Sequence, residues 1–221
     1  MITEANEILL WARGPGFVYA ISIFVFGMVI RVTEILALGR KPDLSAPREN
    51  SPGSGWKTIF TRMVNFESFS ANTAITYIAG YIFHLGLFAV VLLFIPHIEM
   101  IRSVLHISWP GLASSMIDFI TIVTMGSMLV LLVDRIMNPV KQQISTIGDY
   151  FGWLVSFLPI LTGYMSYHHM VDPYALMLAM HILSVELLLV IIPFTKLTHM
   201  VTLFIARWYN GDQFGRKGVA S

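Results

Sequence analysis

The chain has 221 residues, 56% of them hydrophobic and 12% charged, with a mean hydropathy of +0.71. The charged share is about half that of a soluble globular domain, and the lack of cysteine excludes disulfides, iron–sulfur ligation and thiolate chemistry within this chain. A net charge of +1 says little by itself, and no nucleic-acid partner is expected.

The first residues, MITEANE, are acidic rather than basic, so no signal peptide is expected. Five apolar segments read as transmembrane helices, at about 16–38, 72–97, 113–134, 150–167 and 174–198, because a crossing needs roughly 20 predominantly apolar residues. Between the first two, the stretch GRKPDLSAPRENSPGSGWK reads as a loop from its Pro, Gly and Ser content, not as a second domain. Residues 1–221 are therefore expected to form one integral-membrane domain, an all-α bundle of five transmembrane helices.

The basic residues set an orientation. Arg31, the loop residues Arg40, Lys41, Arg48, Lys57 and Arg62, then Arg135, Lys141, Lys196, Arg207, Arg216 and Lys217 fall on one side, and only Arg13 and Arg102 on the other. The positive-inside rule then puts the N-terminus outside and the C-terminus in the cytoplasm, as expected for a multi-pass protein of the inner, cytoplasmic membrane.

Histidines carry the chemistry. His181 and His199 lie 18 residues apart on the fifth span, five turns of a continuous helix, so both would point to one side. Histidine is costly in a bilayer, and two stations on one helix face read as axial ligands of haem iron. His84 and His97 on the second span are the matching pair. The expected pairings are His84 with His199 near the cytoplasmic face and His97 with His181 near the outer face. On one straight helix His97 would lie about 140° from His84. Pro96 breaks or kinks the chain there, which either swings His97 back toward the bundle or leaves it a loop residue. Gly86 and Gly80 flank His84 and would let a flat porphyrin approach the backbone, or serve helix packing alone. Arg135, at the cytoplasmic end of the third span, reads first as an interface charge and is a candidate to orient haem propionates. On the outer side Arg102, His106, His168 and the intramembrane Glu186 are candidate quinone-site residues. A histidine there could take a quinol proton, and Glu186 is open to a proton-relay role or simple packing.

Three stretches carry a family resemblance: Phe83-His84-Leu85-Gly86, the segment RIMNPVKQQISTIGD from Arg135 to Asp149, and His181 followed by Pro193-Phe194-Thr195-Lys196-Leu197-Thr198-His199. Over about residues 72–205 the chain resembles the cytochrome b (gamma) subunit of respiratory nitrate reductase. It looks closer to the non-nitrate relatives, the membrane cytochromes of sulfate-reducer and heterodisulfide-reductase-type complexes. The resemblance implies five helices holding two b haems between spans two and five. It also implies electron transfer between menaquinone or ubiquinone in the bilayer and a cytoplasmic iron–sulfur or catalytic subunit. Where the nitrate reductase subunit has its second histidine, ten residues after the first, this chain has Phe94. Either His97 replaces that ligand or the protein holds a single haem. The competing expectations are a haem-free membrane anchor or assembly scaffold, and a small transporter. Against the transporter, the sequence lacks repeat halves.

Overall fold

The structure, a computed structural model, describes residues 2–39, 46–48, 53–63 and 71–219. Arg40 and Lys41, two of the basic residues behind the orientation, lie outside the described residues. Every regular element among the described residues is helical: α1 (Ile2–Trp11), a π-helical turn (Ala12–Gly16), α2 (Phe17–Ala37), α3 (Ser54–Thr61), α4 (Ala71–Leu93), α5 (Ile95–Leu105), α6 (Ser114–Met137), α7 (Pro139–Ile144), α8 (Ile147–Tyr167), α9 (Tyr174–Ile191), two 3-10 turns (Ile192–Phe194 and Lys196–Thr198) and α10 (His199–Arg216). The chain divides into two compact units, one of Met1–Ala20 with Ser70–Leu188, the other of Ile21–Phe69 with Leu189–Ser221.

Among the described residues four helical segments are long and apolar enough to cross a membrane: Thr3–Ala37, Thr73–Leu93, Ser114–Met137 and Tyr174–Phe194. The surface agrees with a multi-pass membrane protein. Large apolar side chains such as Phe26, Leu85, Phe119 and Val133 stand exposed, while Thr121, Thr124, Ser127, Thr162 and Ser184 are buried. That inversion fits helices solvated by lipid, where small polar residues form the contacts. The buried hydroxyls are satisfied locally: Thr121 donates to the Ile117 carbonyl and Thr124 to that of Ile120, both at 2.7 Å.

Several boundaries differ from the sequence expectation. The first helical segment starts at Ile2 rather than near residue 16 and passes through the wide turn, where Gly14 leaves helical geometry (φ −106°, ψ −106°) beside Pro15. The second span ends at Leu93, because Phe94 is extended (φ −79°, ψ 124°) and Pro96 opens the new helix α5. Proline suits that first turn, where its missing N–H would have had no helical partner. The helix expected at 150–167 exists as α8, but its Asp149, glycines, tyrosines and hydroxyls keep it outside the four strongly apolar segments. The fifth segment is not one helix to residue 198: α9 stops at Ile191, Pro193 sits in a 3-10 turn, and Thr195 is extended (φ −128°, ψ 179°). Finally, part of the expected loop folds as α3.

In the first unit, α4 packs along α6 at Gly86, where any Cβ would run into Thr124, itself 1% exposed. Trp153 of α8 donates to the Met128 carbonyl of α6 at 2.9 Å, and Thr162 of α8 meets Ser184 of α9 at 3.0 Å. At one end of this bundle Lys141 pairs with Asp134, and Arg135 bonds Ser145 Oγ at 3.0 Å with Asp149 at 3.9 Å. Asn138 caps α7, and a reciprocal Thr146–Asp149 capping box starts α8. In the second unit α3 lies on α10 through two glycines. A Cβ at Gly55 would be 2.7 Å from the Trp208 carbonyl, and one at Gly211 would collide with Thr58.

Candidate functional site

The break at Phe94 places His97 in the first turn of α5, where the 140° offset of a continuous helix no longer applies. Its ring lies beside His181 of α9, with centroids 6.3 Å apart and planes 20° from parallel. Metal–imidazole bonds of about 2.0–2.1 Å on opposite sides of one ion, plus about 1.1 Å from each nitrogen to its ring centre, give about 6.3 Å. The 6.3 Å between centroids equals that sum, and the two rings are stacked.

Each ring is held through Nδ1, which presents Nε2 as the remaining nitrogen. His97 Nδ1 is 3.1 Å from the Val90 carbonyl, and His181 Nδ1 is 3.4 Å from Thr162 Oγ1. Gly163 makes room for the second ring, since a Cβ there would sit 2.9 Å from His181 Cε1. An oxygen on the non-ligating nitrogen is the usual companion of a metal-bound histidine, fixing tautomer and ring direction. The same arrangement recurs at the other two histidines. His84 Nδ1 is 2.7 Å from the Gly80 carbonyl, and His199 Nδ1 is 2.9 Å from that of Lys196. His84 belongs to the first unit and His199 to the second. Among the described residues no group of three or more His, Cys, Asp or Glu converges on one point. Haem needs no such group, because its porphyrin supplies the equatorial nitrogens and the protein only the axial ones.

The same-face argument for His181 and His199 does not hold, because Pro193 and Thr195 interrupt the helix between them. Thr195 Oγ1 instead accepts from Leu197 N–H at 3.4 Å, capping the short turn before His199. Gly86 faces Thr124 in the α4–α6 contact, while Gly80 has open space around its missing Cβ. Arg135 is engaged with Ser145 and Asp149, which ties the end of α6 to the start of α8.

The four quinone-site candidates do not form one group. Arg102 and His106 line an open depression on α5 of about 360 Å³, together with Glu99 and Ser103. His106 also ends α5 in left-handed geometry (φ 57°), its N–H bonded to the Arg102 carbonyl at 2.9 Å. His168 lies elsewhere, with Nε2 3.1 Å from Asp118 and its ring against Tyr164 and Tyr167. Glu186 is 7% exposed and approaches the wide turn at Gly16.

Three contributors escaped the sequence reading. Thr162 and Gly163 orient His181 from α8, and nothing in their spacing pointed at a histidine nineteen residues on. Phe94, noted only as a missing ligand, stands edge-on to both His97 and Tyr167 at 5.2 Å between centroids. A chain of rings thereby runs from the histidine pair to His168.

No protein-family model matches the chain, and no solved structure matches it. A protein of Nitratidesulfovibrio vulgaris is similar, 30% identical over 140 residues, which is 63% of this chain and 62% of that relative. The matched region thus spans less than two thirds of the relative's length, and the likeness brings no activity with it.

Proposed function

We propose that this protein is a di-haem cytochrome b subunit of a respiratory complex, carrying electrons between a membrane quinone and a cytoplasmic iron–sulfur or catalytic subunit. The observation that carries the reading is the His97–His181 pair, at ligand spacing with both Nδ1 atoms held by oxygen. His97 and His181 would hold one haem, and His84 and His199 are each assigned as haem ligands. The second assignment rests on the matching Nδ1 contacts and on the family resemblance. Haem, when bound, supplies one-electron chemistry, and the protein supplies orientation and surroundings.

In this reading α8 also crosses, as the fourth of five spans in chain order, the N-terminus is outside, and the histidine pair lies toward the outer face of the inner membrane. The end of the bundle braced by Lys141–Asp134 and Arg135–Asp149 then faces the cytoplasm, where the partner subunit would dock. The chain lacks cysteine, so clusters belong to that partner. The depression at Arg102 and His106 is the outer-face candidate for the quinone headgroup, in either direction of electron flow.

The test is reduction of the purified, haem-loaded chain by a quinol analogue, followed in the visible haem bands. Reduction that slows at least tenfold in Arg102→Ala or His106→Ala, with the haem content kept, is the expected result. Haem that ignores quinol, or quinone analogue, under every condition would remove the quinone from the account.

A further inference from the structure

Glu186 is the acidic residue inside the α9 span, and its surroundings single it out. Its Oε1 is buried and has no hydrogen-bond partner among the described residues. An unpartnered ionised carboxylate is expensive in any apolar interior and more so within a bilayer. The carboxyl points at an equally unusual piece of backbone, the wide turn Ala12–Gly16. There Gly14 is non-helical, Pro15 has no N–H to give, and a Cβ at Gly16 would sit 3.0 Å from Glu186 Oε1. Trp11 lies over the same glycine, 2.6 Å from that Cβ position. Wide turns and broken helices inside membranes are tolerated where they line a site, and π-type turns often mark function.

We propose that Glu186 and the broken turn Ala12–Gly16 form a proton-binding site inside the membrane, distinct from the histidine pair. The carboxylate takes one proton to become the neutral acid and returns it as the same species. The opening in the first helical segment is the route by which that proton exchanges with water. A metal ion is a poor occupant, since Glu186 belongs to no group of three or more His, Cys, Asp or Glu among the described residues. The charged groups on the packed elements are few. Arg13 lies in the turn itself, Glu4 and Glu7 lie on α1, and His181 lies about 7.5 Å earlier along α9. α8, which meets α9 through Thr162 and Ser184, carries Asp149 in its first turn and the tyrosines Tyr150, Tyr164 and Tyr167. The site itself does not depend on haem. The further statement that its proton follows the redox state of the His97–His181 pair does rest on the proposed electron-transfer function.

The experiment is infrared difference spectroscopy on the full chain in lipid vesicles, first between two pH values and then between oxidised and reduced states. The pH difference is expected to contain the C=O band of a protonated carboxyl. That band should shift in D2O, vanish in Glu186→Gln and persist in Asp118→Asn. Gly14→Ala, whose Cβ meets nothing within 4 Å, keeps the carboxyl while pressing the turn toward regular helix. Its band should remain and exchange in D2O at least tenfold more slowly. A band that survives Glu186→Gln, or a Glu186 band that neither titrates nor exchanges, overturns the site. A band that responds to pH but not to redox state leaves the site standing and removes only its link to electron transfer.

Discussion

At the residue scale the account turns on how four imidazoles are held. His97→Ala and His181→Ala are each expected to remove one haem per chain, read by pyridine haemochrome, while His168→Ala should leave the count unchanged. Thr162→Val deletes the oxygen 3.4 Å from His181 Nδ1 without changing the side chain's shape. Loss of such a supporting contact typically weakens a metal site about 10–100-fold. That variant should therefore release haem more readily in a transfer assay to apo-myoglobin, and an unchanged rate would separate Thr162 from the site. The chemistry proposed for these positions follows from residue type, because histidine is costly in an apolar span. Their geometry does not. The 140° offset of His97 held only for an unbroken helix, and Phe94 with Pro96 breaks it. Gly86 shows another limit: a small residue next to a histidine suggests room for a ligand, and the close approach of Thr124 to it is visible only in the fold.

At the element scale the helices are positioned by close approaches at small residues and by polar braces at their ends. Gly86→Leu inserts a side chain where even a Cβ collides with Thr124, so α4 and α6 must separate. Overpacking of this kind costs about 1–3 kcal/mol, and a matching fall in thermal stability in detergent is expected. Arg135→Ala should cost far less, about 0–1 kcal/mol, since the guanidinium is 36% exposed and its distance to Asp149 is 3.9 Å. A larger loss of stability there would mean the α6–α8 brace matters more than its exposure implies. The apolar spans centred on α4 and α6 could be read directly, because length and hydropathy decide them. The end of α9 could not, although Pro193 carried the signal, because a long apolar run outweighed one proline. The short helix α3 was hidden for another reason. Its Gly- and Ser-rich composition reads as loop, and its seat against Trp208 and Gly211 is a long-range contact that no local pattern encodes.

At the scale of the whole molecule the open matter is how the chain threads the bilayer. Four apolar segments are in hand, and the proposed fifth, α8, is 21 residues long, about 31 Å at 1.5 Å per residue. Because the sequence contains no cysteine, single introduced cysteines report topology cleanly. With Ser103→Cys on α5, an impermeant thiol reagent should label intact spheroplasts. With Lys217→Cys after α10, labelling should require opened membranes. Both sites labelling from the same side would demand an even number of crossings between them and remove α8, or another helix, from the set of spans.

The central claim is that histidine pairs in this bundle hold haem, and the most direct measurement is the haem count per chain in the purified protein beside its His97→Ala and His181→Ala variants. Two b haems in the parent protein, falling to one in either variant with the fold kept, is the predicted result. A well-folded parent protein without haem, after expression with ample haem supply, would contradict the account and leave these histidines as packing residues of a membrane anchor.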